Sequence, residues 1–458
     1  MRRSHRITEW DPEDPLAWEA GNQVIARRNL IWSIATVHLG YSVWSLWSVM
    51  VLFMPKHVYG FSAGDKFLLG TTATLVGACL RLPYSMAALT FGSRNWTIFS
   101  AFVLLIPTGG TMLLLAHPGL PLWPYLVCAA LTGLGGGNFA ASTTNANALY
   151  PHRLKGSALG LTGGAGNLGV PIIQVVGLVV IAIAGNRQPY WVCAVYLVLV
   201  TIVGIGATVF LDHLEQHRIN PTCLRSILSS ILSHRDTWLL ALLYLGTFGS
   251  FIGFAFAFGH VLQISFIAGG QSPAQASLHA AQVAFVGPLL ASLARIYGGR
   301  LADRLGGGRV TLAVFAAMVV AAGLLAAIST LDDHNPGPAA GPAMTSYMVA
   351  FIVLFILSGI GNASVYKMIP TVFEACSHTL DGSGAERRRS RARSGMVSGF
   401  VAAFGALGGS GINLAMRQSY LCTGTGTPAF WMFTAFYVAA AILTWMVYVR
   451  QPVIAHPL

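Results

Sequence analysis

Three basic side chains interrupt long apolar runs of this chain: Arg81, Arg295 and Lys367. Arg81 stands thirteen residues before Arg94, and Arg295 fourteen before Arg309. At about 1.5 Å of rise per helical residue, both guanidiniums lie roughly 20 Å up their helices, near the middle of a hydrocarbon core about 30 Å thick. A charge at that depth is costly and faces a cavity or a partner. Lys367 differs, because it stands only seven residues before Glu374 and can snorkel to the helix end.

The fifteen carboxylates offer no partner at that depth. Each falls in a loop or at the end of an apolar run, so the arginines face either backbone carbonyls or a bound anion. Arginine's planar fork grips planar oxyanions through two parallel N–H···O bonds, which a lysine cannot do. A small planar monoanion held between two forks is the chemistry these residue types support.

Holding two arginines at mid-depth requires spanning helices. The chain has 458 residues, 55% hydrophobic and only 9% charged, with a mean hydropathy of +0.65. A soluble domain carries about 25% charged residues. Apolar runs of about 20 residues predict twelve transmembrane helices. In the first half these are 30–54, 66–90, 96–116, 122–149, 156–184 and 189–211. In the second they are 238–264, 276–301, 310–331, 345–373, 394–416 and 428–449. Period-2 alternation is absent, which argues against an outer-membrane barrel. The fold class is an all-α integral membrane protein.

A net charge of +12 would suit nucleic acid, but its placement points elsewhere. The N-terminus, the even-numbered loops and the C-terminus hold nearly all Arg and Lys. The opposite side receives only Lys56, Lys66, Arg187 and Arg417. That bias puts both termini in the cytoplasm and explains the charge without a nucleic-acid partner. The six cysteines show no CxxC spacing, so neither a disulfide nor a zinc site is implied. No signal-peptide pattern precedes the first helix. Instead, Asp14 is expected to cap a short interfacial helix begun by Pro15, with Trp18 at the membrane surface.

The longest polar stretch between apolar runs, 212–237, divides the chain. The expected organisation is an arm over 1–29, a six-helix half over 30–211, the linker, a second half over 238–449 and a tail over 450–458. A further polar stretch, 377–394, contains GAERRRSRARS and is expected as a mobile, solvated loop. The halves align with each other. Residues 80–98 fall on 294–312, which sets Arg81 on Arg295 and Gly92 on Gly306. LTGLG (131–135) falls on LSGIG (357–361), and GSALGLTGGAGNLG (156–169) on GMVSGFVAAFGALG (395–408). Three blocks in one order mark a duplicated carrier, whose halves rock about a site between them.

Small residues at three- and four-residue spacing let helices approach closely and slide. Duplication of the spacing assigns a hinge or sliding role to Gly166, Gly169, Gly405 and Gly408, with packing alone as the plain alternative. Asn167, between two glycines, offers an amide donor to an anion. Asn138 and Asn145 suit interhelical hydrogen bonds. His38 is a proton relay or a hydrogen-bonded structural histidine, and Trp44, Trp47 and Phe53 form a stripe that faces lipid or packs inward.

These motifs resemble a known family. GGGNFAAS (135–142), GLTGGAGNLGV (160–170) and SGIGNASVYKMIP (358–370) are similar to the nitrate-signature regions of the NarK-type nitrate/nitrite porters of the major facilitator superfamily. RLPYS (81–85), TFGSFIGF (247–254), GGRLADRLGGGR (298–309) and TEWDPEDPLAW (8–18) extend the resemblance over nearly the whole chain. It implies the major facilitator fold of two pseudo-symmetric six-helix halves. It also implies Arg81 and Arg295 as the paired anion-binding residues, walled by Phe139 and Phe248, with hydrogen bonds from Tyr244 and Asn167. Tyr41 stands where the family often has phenylalanine, as wall, donor or both. Asp303 would latch one face with its neighbouring arginines. The resemblance further implies nitrate and nitrite as substrates, a lipid bilayer as the surrounding partner, no cofactor or metal, function as a monomer, and a place in the bacterial cytoplasmic membrane.

Nitrate/nitrite exchange by alternating access is the leading expectation. Proton-coupled nitrate symport is the alternative and would need a group such as His38 to titrate. A nitrate sensor would need an output domain, where only short tails exist. An enzyme would need a metal spacing, a nucleophile set or a cofactor motif, and none appears.

Overall fold

Nearly all of the described residues are helical, and the helices are long because little in the apolar runs breaks them. The computed structural model describes residues 6–184, 188–214, 228–334, 341–374 and 384–450. Most of the expected linker and the tail after residue 450 lie outside the described residues.

In the first half the helices are α1 (Gln23–Trp44), α2 (Leu46–Met50), α3 (Ala63–Phe91), α4 (Ser93–Phe102), α5 (Leu105–Ala116), α6 (Leu122–Thr132), α7 (Leu134–Leu149), α8 (His152–Asn167), α9 (Gly169–Ala184) and α10 (Tyr190–Phe210). The second half holds α11 (Arg235–Ala268), α12 (Pro273–Ala284), α13 (Val286–Leu305), α14 (Gly307–His334), α15 (Gly341–Glu374), α16 (Gly384–Thr423) and α17 (Thr427–Thr444). Several expected spans are two helices in series, such as α8 and α9. Among the described residues, ten helical stretches are long and apolar enough to cross a membrane, and an eleventh counts once a 42° bend at Ser45 is allowed. The remaining expected span, 122–149, is helical but divided at Gly133 into α6 and α7. Ile106, Leu113, Val179, Ile202, Val320 and Leu324 are exposed on the outside of the bundle, as lipid-facing positions require.

Local chemistry starts and stops these helices. Ser62 and Asp65 form a reciprocal capping box at the start of α3, and Ser272 and Gln275 another at the start of α12, where Pro273 takes the first helical position. At the other end of α3, Gly92 adopts φ 89° and ψ 136°, and Gly306 adopts the same angles at the end of α13. These two positions coincide in the internal alignment and carry the same left-handed turn. Each lies eleven residues past an arginine, Arg81 in α3 and Arg295 in α13, so the repeat sets both charges at matching heights.

The face that carries the chain termini is tied together by the N-terminal arm. Strand β1 (Arg6–Ile7) pairs in parallel with β2 (His213–Leu214), just beyond α10. Asp14 caps its short helix as expected, its carboxylate accepting from Leu16 N at 2.9 Å and Ala17 N at 3.3 Å. Trp18, expected at a membrane surface, is covered by protein. It is buried with Trp10, Ala26, Leu149 and Leu214, its ring edge-on to Tyr150 at 5.8 Å. Nearby, Arg28 and Asn29 hold the buried Asp212, Asn29 Nδ2 donating to its carboxylate at 2.8 Å.

The stretch 384–394 is helix and not loop, forming the first three turns of α16. Between Gly384 and Gly395 it has no Gly or Pro, and its Ala, Glu and Arg residues are strong helix formers. The lipid-facing alternative for Trp44, Trp47 and Phe53 is also overturned, since all three are buried in the main core.

On the face opposite the termini, here the distal face, the two halves are closed on each other. Gln263 Nε2 donates to Leu52 O at 2.9 Å, and Gln174 Nε2 to Ala255 O at 3.2 Å. The Phe67 ring of α3 lies against His260 of α11 at 4.7 Å and Tyr420 of α16 at 5.5 Å.

Candidate anion-binding site

Arg81 is fully buried and Arg295 is 8% exposed. Arg81 Nη2 donates to the Tyr41 hydroxyl at 2.9 Å and Nη1 to the Ala402 carbonyl of α16 at 3.1 Å, while Nε is buried with no partner. A guanidinium has five N–H donors, so donor capacity is left over. Arg295 Nη2 reaches the Tyr244 hydroxyl at only 3.5 Å. With the Asn167 amide oriented to satisfy both its ends, Oδ1 accepts from Arg295 Nη1 at 2.9 Å and Nδ2 donates to Gly163 O at 3.2 Å. Asn167 thus presents its oxygen to the site, where an amide donor was expected. In this state it orients a guanidinium.

Aromatic rings fill the space around the two charges. The Phe248 ring lies 4.5 Å from Arg81 Cζ, and the Phe139 ring borders both arginines, 5.7 Å from Arg81 Cζ and 6.0 Å from Arg295 Cζ. Phe248 stacks on Tyr244 at 5.2 Å with the rings 2° from parallel. Ring faces attract cations, so these walls stabilise guanidiniums without neutralising them. Among the described residues no carboxylate lies within ion-pair distance of either arginine. The arrangement also crosses over: Arg81 of the first half is held by Phe248 and Ala402 of the second. Arg295 of the second is held by Phe139 and Asn167 of the first.

Arg81, Arg295, Tyr41, Tyr244, Phe139, Phe248 and Asn167 therefore converge. Tyr41 is a hydrogen-bond partner of Arg81 and also packs on Phe139 at 6.2 Å. Two residues were missed. Trp44 lies 5.3 Å from Arg81 Cζ, its indole donating to Ala73 O at 2.8 Å, and Tyr366 lies between Tyr244 at 5.6 Å and Phe139 at 6.3 Å. The spacing of Trp44 three residues after Tyr41, on one helix face, was the available signal. Tyr366 sits beside Lys367 in an apolar run, which gave none.

Other expected residues lie elsewhere. Asp303 is ion-paired with Lys367 of α15, not with the arginines beside it. The four glycines seat helix on helix: a Cβ at Gly166 would meet Val37 and one at Gly169 the His38 carbonyl, both on α1. On α11, Gly405 lies against Tyr244 and Gly408 against the Leu245 carbonyl. His38 Nδ1 is 3.0 Å from Ala165 O, a structural bond. Asn145 Nδ2 donates to Ser33 Oγ at 2.9 Å, and Asn138 Nδ2 reaches Thr36 O at 3.4 Å, both between helices as expected.

Paired buried cations on matched helices, in a twofold-repeated bundle, describe a carrier. The Major Facilitator Superfamily profile matches residues 32–412. The nitrate/nitrite transporter NarU of Salmonella typhimurium is 33% identical over 468 positions, covering 97% of this chain and 96% of that protein. The chain belongs to the Major Facilitator Superfamily, within its nitrate/nitrite porter family. The probable nitrate/nitrite antiporter NarK2 of Thermus thermophilus is 31% identical over 463 positions, covering 97% of each chain. In fold, this superfamily member is similar to the xylose transporter XylE from E. coli in a partially occluded inward open conformation. The TM-score is 0.64 at 12% identity, over 93% of this chain and 98% of that one. The nucleoside transporter NupG gives 0.61 at 12% identity, over 92% and 99%. Those two share the architecture alone.

Proposed function

We propose that this protein carries nitrate and nitrite across the membrane by alternating access, exchanging one for the other around a site between Arg81 and Arg295. The observation that carries the reading is the unneutralised pair of buried guanidiniums, one from each half, with unused N–H donors among aromatic rings. An isolated buried charge costs several kcal/mol, and a bound monoanion removes much of that cost. The names of the relatives supply the anions, and the planar fork suits both. Tyr41, Tyr244, Phe139, Phe248 and Asn167 shape the pocket. The halves 30–211 and 238–449 rock about it, with the glycine contacts between α8–α9 and α1, and between α16 and α11, as the sliding surfaces. The charge bias supports cytoplasmic termini in a bacterial inner membrane, and the site is complete within one chain, which supports a functional monomer.

The test is counterflow in proteoliposomes. Vesicles loaded with nitrite should take up labelled nitrate faster than empty ones, with no pH gradient imposed. Uptake driven by a proton gradient alone, into vesicles free of either anion, would overturn exchange in favour of symport.

A further inference from the structure

Helix α15 carries an amide that no part of the fold satisfies. Asn362 is 0% exposed, and both its Oδ1 and its Nδ2 are buried with no hydrogen-bond partner. Among the described residues no other buried side-chain amide is orphaned at both ends. Its polar neighbours on the helix are met: Ser358 Oγ donates to Phe355 O at 2.7 Å, and Ser364 Oγ is 2.8 Å from Thr311 Oγ1. A buried amide without partners is costly, and a ligand that bonds to it relieves that cost.

Packing on either side directs this amide to the arginine site. Helix α15 crosses α13 at Arg295. A Cβ on Gly359 would strike the carbonyl of Ala291, one turn before Arg295, and a Cβ on Gly298, just after it, would strike the Ile360 backbone. The next residue, Gly361, rests on Thr247 of α11, between Tyr244 and Phe248. With about 100° of turn per helical residue, Asn362 stands about 60° from Gly359 and about 100° from Gly361, so it faces the gap between α13 and α11. Tyr366, one turn further on the same face, already reaches Tyr244 and Phe139.

The internal repeat locates the position a second way. Setting LTGLG (131–135) on LSGIG (357–361) places Asn362 on Gly136. A Cβ at Gly136 would meet the Trp44 ring, and that ring lies 5.3 Å from Arg81 Cζ. In the first half an indole therefore fills the space beside the arginine. In the second half the matching position carries the orphaned amide.

We propose that Asn362 is a further anion-binding residue, and the one that favours nitrate over nitrite. This rests on the transport reading above and deepens it. The two anions share a two-oxygen edge, which an arginine fork grips in either. Nitrate alone has a third oxygen. Asn362 Nδ2 donates to that oxygen, which pairs the amide without adding charge to the site. Nitrite leaves it unpaired, and a site group left unpaired discriminates between ligands that differ by one hydrogen-bonding atom.

The experiment is calorimetric titration of the purified protein with nitrate and with nitrite, together with melting curves in the absence of both. Asn362→Leu should raise the nitrate Kd roughly tenfold or more, the loss of one hydrogen bond to a charged group, and leave the nitrite Kd within about twofold. Its melting temperature without anion should be no lower than the parent's, because an unpartnered amide has left the core. Asn362→Asp keeps the shape but sets a carboxylate beside Arg295, and should abolish binding of both anions. If Asn362→Leu does not assemble, Asn362→Ala carries the same comparison. Equal losses for the two anions, no loss for nitrate, or parent-like binding by the aspartate variant would overturn the role of Asn362 while leaving transport standing. Absence of binding by either anion to the parent protein would overturn the transport reading, and the role of Asn362 with it.

Discussion

A guanidinium without a countercharge makes each atom around it consequential. Replacing Arg81 or Arg295 with lysine keeps the charge and loses the fork, so either variant should insert and fold yet lose nitrate transport. Labelled nitrate uptake by proteoliposomes checks this, and saturable uptake at the parent rate would remove that residue from the site. The two tyrosines separate by geometry. Tyr41→Phe breaks a 2.9 Å bond to a charged group, which should weaken nitrate binding by about 1.5–3 kcal/mol. Tyr244→Phe breaks a contact of 3.5 Å and should cost less. Titration of both purified variants with nitrate decides the order, and a larger loss at Tyr244 would reverse it. The arginines were legible because charge is rare in apolar runs and depth follows from residue counts. The orientation of Asn167 was not, since an amide offers donor and acceptor alike and only the fold decides which faces inward. Trp44 was half legible, its spacing from Tyr41 visible but its target unknown.

Helices in this bundle meet where side chains vanish, and what replaces the missing side chain differs from site to site. At Gly169 and Gly408 a methyl group would strike a carbonyl of the facing helix, and backbone cannot step aside. Gly169→Ala and Gly408→Ala should therefore lower thermal stability by about 1–3 kcal/mol of overpacking. Gly405→Ala meets the Tyr244 ring, which can turn, so its cost should fall on nitrate affinity more than on the melting temperature. A melting curve and a nitrate titration for each variant make the comparison, and equal melting losses at all three would favour uniform packing. The spacing of these glycines showed that helices approach one another. It could not show that the opposing surface is backbone at two positions and a site residue at a third. Helix α16 taught a related lesson: its arginine-rich start looks like a loop by charge but like a helix by propensity, and propensity prevails.

Across the whole molecule, each half supplies part of the surroundings of the other half's arginine. Closing the halves with no anion bound would bring two cations together in a water-poor space, at a cost of several kcal/mol per ion. Only the loaded carrier should then cross readily between its two states. Nitrate efflux from loaded vesicles should be slow into anion-free buffer and should accelerate when nitrite or nitrate is added outside, with the membrane potential clamped. Equal rates in the two buffers would show that the empty carrier returns freely. The repeat that produces this arrangement was readable in the alignment of Arg81 with Arg295. The crossing of contacts was not, because it joins residues such as Arg81 and Ala402 that lie far apart in sequence.

The short pairing of Arg6–Ile7 with His213–Leu214 has a consequence in time. During synthesis at about 5–20 residues per second, roughly 200 residues and some 10–40 s separate the emergence of the two strands. Trp10 and Trp18 leave the ribosome long before Leu149 and Leu214 exist to cover them. The arm must wait, with two indoles uncovered, until the whole first half is in the membrane, and its docking then records that this half has been completed.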